Sequence, residues 1–456
     1  MPGALLTHPV GFAARRTSWC RAFLELWEAT PPEWPTPGPR VGFLRQRGNA
    51  RAAARLIDDL AAEIARVPDD ESEQRAWRDA IRERLQQFGQ ERLGWPEGYR
   101  RLLLADAFYE SSTAFAREAR AFDPRLTHEQ LGQALRNVWI GNSLQMLLER
   151  PVLMRPGLFA YSMLYPVTDN WLDDPKIPGD RKRMFNERFG RRLAGARVEA
   201  GDGPDEAVGR LVDRIEQEFP RDDFPSVYQS LLAIHHGQMR SLDQHDADSL
   251  TDGEVMSISI EKGGSSVATD LHLVAPVVES DDERFAFGYG VFLQLLDDLQ
   301  DVEVDAAARH QTLFTRAAGR GPLDEPTARL ARFIDRVLAE RPFDGCDGAD
   351  RIDLIRRNCL ALLVGSVAEH PQRFSRPFRG HLATHWPVSF RAQRRLRRRA
   401  LRRWSEVQSR IDVSARIAEL LEGGRSVRAG SARRSDGCRP GDAAPSSTRR
   451  APDPRL

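Results

Sequence analysis

Lysine is scarce in this chain of 456 residues: only Lys176, Lys182 and Lys262 occur, although lysine and arginine together number 67. Aspartate and glutamate number 66, so the formal net charge at neutral pH is +1. This balance excludes a whole-molecule field that would attract nucleic acid, and no nucleic-acid partner is predicted. Local groups of charges must therefore carry any recognition of a charged molecule.

Cysteine and long apolar runs are also lacking. The four cysteines are widely separated and form neither a CxxC pair nor a disulfide framework for a chain of this length. No run of 18 apolar residues occurs, and the first 19 residues lack the sustained apolar segment of a secretory signal. These features predict a cytoplasmic protein with reduced thiols.

No stretch alternates apolar and polar residues persistently enough to indicate a sheet. Apolar residues instead recur at three- and four-residue spacing between Pro- and Gly-containing breaks, which predicts an all-α fold. We expect an irregular N-terminal arm (1–40), one helical domain (41–422) and a disordered basic tail (423–456). Within the domain, 391–404 forms an intensely basic helix, which is either a solvated face or a peripheral contact with a membrane or an acidic partner.

Aspartates are concentrated on one predicted helix, in YGVFLQLLDDLQDVEVD at 289–305. At 100° per residue, Asp297 and Asp301 lie about 40° apart and one turn from each other, with Asp298 beside them. Such neighbouring carboxylates repel one another unless a cation lies against them. The segment therefore predicts a metal site.

A second pair with the same spacing, Asp169 and Asp173, occurs in LYPVTDNWLDDPK. Oxygen ligands without nearby histidine or cysteine favour magnesium, which keeps several waters and bridges phosphate oxygens. Between the two pairs, Lys262 precedes Gly263 and Gly264, which we expect to interrupt or kink a helix. A lysine at such a break would direct its ammonium toward a diphosphate.

These features, in this order, resemble the class I isoprenoid synthases, particularly the trans-prenyl diphosphate synthases. The resemblance covers roughly 130–310. The matching features are Asp169 with Asp173, Gly237 with Gln238, Lys262, and the Y-G-x-x-x-Q-L-x-D-D-x-x-D series from Tyr289 to Asp301.

The resemblance implies a bundle of antiparallel helices around a central cavity, with the two aspartate groups facing each other across its mouth. It also implies about three magnesium ions held by the five aspartates, and a prenyl diphosphate substrate. The implied substrate-binding residues are Lys262, Gln238, Gln294, Arg181 and Arg183. A homodimer is compatible with these features.

Two departures leave the reaction open. Asp169 is followed by Asn170 where chain-elongating synthases usually have a second aspartate, and no early Gly-Lys-x-x-Arg segment is present. The ending Asp301 to Asp305 also resembles the second motif of squalene and phytoene synthases. Prenyl transfer is the first expectation, head-to-head condensation or cyclisation the second, and a non-catalytic binding or regulatory homologue the alternative of another class.

Overall fold

The computed structural model describes residues 11–410, with gaps at 36–37, 69, 103–105, 175, 202, 246–249 and 344. Every regular element in these described ranges is helical, so the predicted all-α class is confirmed. None of the described helices combines the length and the apolar character that crossing a bilayer demands. The predicted tail at 423–456 lies outside the described residues.

Eighteen α-helices follow one another in the described chain. The first ten are α1 (Phe12–Glu28), α2 (Phe43–Ile64), α3 (Glu71–Phe88), α4 (Tyr99–Leu102), α5 (Asp106–Phe122), α6 (His128–Leu147), α7 (Pro156–Asp173), α8 (Gly179–Leu193), α9 (Asp205–Glu218) and α10 (Pro225–Ser241). The remaining eight are α11 (Asp252–Val274), α12 (Ser280–Gln300), α13 (Val302–Ala307), α14 (Leu313–Arg320), α15 (Asp324–Ala339), α16 (Gly345–Glu369), α17 (Arg376–His385) and α18 (Phe390–Arg410).

The centre of the fold is α11, which packs along both α10 and α12 and also contacts α1, α6 and α7. Between Val255 and Val274, a stretch described throughout, only Ser257, Lys262 and Ser266 are not fully buried. The helix contributes to both large apolar clusters, one built with α1, α12, α15 and α16 and the other with α5 to α10. A lysine in the middle of this helix is therefore held by the core on either side.

The predicted interruption of α11 at Gly263 and Gly264 is wrong, because the helix runs continuously from Asp252 to Val274. A Cβ atom at Gly263 would lie 2.5 Å from the carbonyl oxygen of Gly290 on α12, and one at Gly264 would lie 2.4 Å from the ring of Phe287. These glycines therefore permit close contact between two helices rather than a break in one.

The expectation of an irregular arm at 1–40 is also wrong for its central part, which forms α1. Four large side chains of α1 are buried: Phe12, Trp19, Phe23 and Trp27. Phe23 stacks on Phe287 of α12, with ring centroids 5.9 Å apart. These four residues are seven, four and four positions apart, so they lie on one face of a helix, which packs against the core. The Pro-rich composition that suggested an irregular arm belongs to the segment after α1.

Candidate functional site

The C-terminal end of α12 and the following α13 present Asp297, Asp301 and Asp305, here called the acidic stripe. The N–H of Asp301 donates to the carbonyl of Asp297 at 2.9 Å, and the N–H of Asp305 donates to that of Asp301 at 2.8 Å. The chain thus continues to coil across the boundary at Asp301, so the three carboxylates stay on one side, as the spacing predicts. In the described part of the chain, none of the three carboxylates has a recorded hydrogen bond or ion pair.

Burial and mutual repulsion both favour protonation of Asp301 and Asp305 in the acidic stripe. Partial desolvation and the Asp297 carboxylate raise the pKa of Asp301, while the charge of Arg136 opposes them. Partial burial, followed by the charges of Asp301 and Asp297, raises the pKa of Asp305 to about 6, and Lys262 acts in the opposite direction. A divalent cation placed against these oxygens would relieve the repulsion.

Lys262 lies close enough to the acidic stripe for its charge to lower the pKa of Asp305. Its backbone is held against α10, because a Cβ at Gly237 would lie 3.0 Å from the Lys262 Cα. The side chain is half-buried and has no recorded ion-pair or hydrogen-bond partner among the described residues. A lysine fixed at its base, with its ammonium uncommitted, is suited to bind an anion.

Asp298 has a different environment from its neighbours. Ser259 of α11 donates to one of its oxygens at 3.0 Å, and Gln294 donates to the other at 2.7 Å. Burial raises the pKa of Asp298 to about 7, although the Gln294 hydrogen bond lowers it. The 100° turn after Asp297 directs this carboxylate into the α11–α12 interface, where it and Gln294 are committed to each other.

The first predicted aspartate group lies at the end of α7. Asp169 is half-buried and accepts a hydrogen bond from Gln133 of α6 at 3.5 Å. The amide of Asn170 donates back to the carbonyl of Pro166 at 2.6 Å, so it turns away from this contact. Asp173 is the last residue of α7, and its side chain lies outside the described residues.

Helix α6 links the two aspartate groups. Gln133 contacts Asp169, and Arg136, three residues further along, acts electrostatically on Asp301. Residues three apart lie on neighbouring turns of one helix face, roughly 4.5 Å apart along its axis. One turn of α6 thus contacts Asp169 and carries a charge that acts on Asp301, although 132 positions separate the two aspartates in the numbering.

The remaining predicted residues are more dispersed. Arg181 and Arg183 lie in the first two turns of α8, with Arg183 exposed and Arg181 half-buried. Gln238 lines a cleft of about 20 Å³ between α7, α8 and α10, together with Tyr165, His235 and apolar side chains. This cleft has room for about one water molecule, so a prenyl chain would enter only if its walls moved apart.

Two histidines that the sequence patterns do not indicate join the site. The rings of His245 and His310 lie 4.7 Å apart, between centroids. Reciprocal bonds hold their segments together: the N–H of Gln311 donates to the carbonyl of Gln244 at 2.8 Å, and the Gln244 amide donates to the carbonyl of Gln311 at 2.9 Å. Burial lowers the pKa of His310 to about 4, with contributions from the neighbouring His245 and Lys262.

The arrangement combines an acidic side, formed by the acidic stripe, with a side that can donate hydrogen bonds, formed by Lys262, His245 and His310. Within the described ranges, no three His, Cys, Asp or Glu side chains converge closely enough to enclose one metal ion. A magnesium ion held by one or two of these carboxylates would need waters or phosphate oxygens as its remaining ligands. A metal-bound anion would satisfy both sides together.

Comparison with known proteins adds no relative: no protein-family model, no curated protein and no solved structure matches this chain.

Proposed function

We propose that this protein is a magnesium-dependent isoprenoid synthase that ionises an allylic prenyl diphosphate, with prenyl transfer as the favoured outcome. The observation that carries the proposal is the acidic stripe, three carboxylates without recorded partners beside Lys262. Asp297 and Asp301 are exposed, whereas Asp305 and Lys262 are half-buried. Half-buried charges are normally paired, so an unpaired carboxylate and an unpaired ammonium in one place support a ligand site. A diphosphate would supply a negative charge for Lys262, and its metal ions would supply positive charges for the carboxylates.

Each side chain then has a distinct task. Asp297 and Asp301, with Asp169 and Asp173 from α7, provide oxygen ligands for magnesium, which when bound neutralises the diphosphate. Lys262 binds diphosphate oxygens directly. The allylic C–O bond breaks with its electron pair remaining on pyrophosphate, and the developing charge on that leaving group strengthens its bond to Lys262.

Asp298 takes a positioning role in this scheme instead of the predicted metal contact. Its bonds to Ser259 and Gln294 fix the rotation of α12 against α11. That rotation determines where Asp297 and Asp301 project, one residue before it and three after it. The tyrosine and apolar side chains of the cleft beside Gln238 would exclude water from the allylic cation.

Incubation with geranyl, farnesyl and geranylgeranyl diphosphates, each with and without isopentenyl diphosphate, tests the proposal through pyrophosphate release and product analysis. Release that requires isopentenyl diphosphate selects prenyl transfer. Release from an allylic substrate alone selects head-to-head condensation or cyclisation. Absence of release from all three, in magnesium, contradicts the proposed isoprenoid synthase activity.

Asp301→Asn provides a matched test of the metal role. We expect it to abolish pyrophosphate release while leaving the protein equally or slightly more stable, since one charge leaves a repelling group. Asp281→Asn is the control, because Asp281 is an exposed aspartate in the first turn of α12, the helix that ends directly before Asp301. Equal activity of the Asp301 and Asp281 variants would exclude Asp301 from the site.

The narrow cleft favours one second candidate, a non-catalytic homologue that binds a metal-diphosphate but no prenyl chain. At about 20 Å³ the cleft accepts no hydrocarbon tail as it stands. Titration with inorganic pyrophosphate and magnesium separates the two functions. Binding of pyrophosphate without turnover of any prenyl diphosphate would favour the homologue, whereas binding with turnover favours the enzyme.

A further inference from the structure

Helix α18 concentrates positive charge in a chain whose total charge is nearly balanced. Between Phe390 and Arg410 it carries nine arginines and a single glutamate, whereas the whole chain has a formal net charge of +1. A basic helix of this kind is often only a solvated surface. The contacts of each arginine show whether α18 has a role beyond that of a solvated surface.

The arginines on the inner side of α18 fasten the helix to the protein. Arg403 pairs with Asp58 of α2 at 2.9 Å, and Arg399 pairs with the same carboxylate. Arg394 donates to the carbonyl of Ala368 at 2.6 Å at the end of α16. These bonds fix which side of α18 faces outward.

Three arginines on the outer side have a different environment. Arg391, Arg395 and Arg398 are exposed, and within the described residues none of them has a recorded hydrogen bond or ion pair. At 100° per residue they lie within about 60° of one another, in one line along the helix. The three guanidinium groups therefore form an outward row that the protein itself leaves uncompensated.

Two apolar side chains lie to one side of this row: at 100° per residue, Leu401 is about 60° and Trp404 about 120° around the helix from Arg398. Leu401 is 60% exposed and Trp404 is 44% exposed, and they lie three residues apart on neighbouring turns of α18. Arginines next to an exposed leucine and tryptophan are typical of helices that lie in the interface of a bilayer, where the rings enter the headgroup region and the cations meet lipid phosphates.

We infer that the outward face of α18 docks on an anionic lipid surface. Charge complementarity identifies the occupant as anionic, and the exposed Leu401 and Trp404 favour a bilayer over a nucleic acid, since burial of both side chains adds to binding only where an apolar layer is present. The face acts as a peripheral contact and does not insert across the membrane. This inference stands independently of the proposed reaction.

Co-sedimentation of the full chain with phosphatidylcholine vesicles, with and without phosphatidylglycerol, measures this contact. We expect binding only when phosphatidylglycerol is present. Each arginine near such a surface strengthens binding about fivefold, so a variant with Arg391, Arg395 and Arg398 changed to Gln should bind on the order of a hundredfold more weakly. Because these side chains have no recorded protein partner, its thermal unfolding should match that of the unaltered chain.

The basic segment that follows α18 requires its own control. A variant with Arg425, Arg428 and Arg433 changed to Gln removes the same charge from outside the described residues. If this control loses vesicle binding and the α18 variant retains it, the inference is overturned. Retention by both variants overturns it as well.

A second pair of substitutions separates lipid from nucleic acid. Leu401→Gln with Trp404→Gln should reduce vesicle binding at least about tenfold, because both apolar side chains lose their burial in the interface. Binding of a single-stranded RNA oligonucleotide serves as the comparison. If RNA binds as tightly as vesicles, and this double variant affects neither, the face is a polyanion-binding surface and the lipid assignment fails.

Discussion

The contact between α11 and α12 makes Gly290→Ala the sharpest test of the fold around the site. A Cβ at Gly290 would overlap the carbonyl oxygen of Gly263 and would lie 3.1 Å from the Cα of Gly264. Overpacking costs about 1 to 3 kcal/mol where side chains are able to shift. Here the obstacle is backbone within a continuous helix, so we expect a loss of at least about 3 kcal/mol in the free energy of unfolding.

Urea unfolding followed by circular dichroism measures this loss. Gly132→Ala is the matched control, because Gly132 is an exposed glycine inside α6 with nothing within 4 Å of an added Cβ. That variant should gain about 0.5 to 1 kcal/mol, since alanine favours the helix. If Gly290→Ala were as stable as Gly132→Ala, the two helix backbones would not touch at this point.

Three further predictions concern single side chains. Burial raises the pKa of Asp270 well above its ordinary value, so the folded chain keeps a proton that the unfolded chain releases above about pH 4. Asp270→Asn should therefore leave the free energy of unfolding unchanged near pH 4 and increase it, relative to the unaltered chain, by about 1.4 kcal/mol per pH unit as the pH rises toward the folded pKa. Urea unfolding at several pH values measures this difference, and parallel pH profiles of the two proteins would contradict it. His310→Gln should weaken the binding of magnesium-pyrophosphate about tenfold in calorimetry, whereas His381→Gln, at an exposed position, should leave it unchanged. Equal affinities of these two variants would exclude His310 from the site. Lys262→Met should lower prenyl diphosphate turnover by about one to three decades without altering stability. Lys262→Arg should also be impaired, because a broad guanidinium replaces a compact ammonium. Unchanged turnover in Lys262→Met would refute the role of Lys262 in binding the diphosphate.

Local patterns are sufficient to predict the all-α class and one half of the site. Thr127 and Thr251 each form a capping box with the residue three positions later, and α6 and α11 begin directly after these threonines. The four-residue spacing of Asp297 and Asp301 likewise determines that they share a helix face. Both features depend only on neighbours along the chain.

Features that depend on contacts between distant segments could not be predicted from local sequence patterns. Gly263 resembles a helix breaker until Gly290 is known to lie against it. His245 and His310 belong to separate segments, and their pairing arises from bonds between Gln244 and Gln311. The burial of Asp298, by contrast, follows from the same 100° rotation that places Asp297 outward, so it was open to prediction.

The position of α1 has a consequence for the synthesis of the chain. Phe12, Trp19, Phe23 and Trp27 leave the ribosome early, yet Phe287, the ring against which Trp19 and Phe23 pack, belongs to α12. At the usual pace of translation, roughly ten to fifty seconds pass before that partner is made. During this interval the amphipathic N-terminal segment must remain bound to a chaperone or adopt temporary contacts, and the core closes only when α11 and α12 emerge.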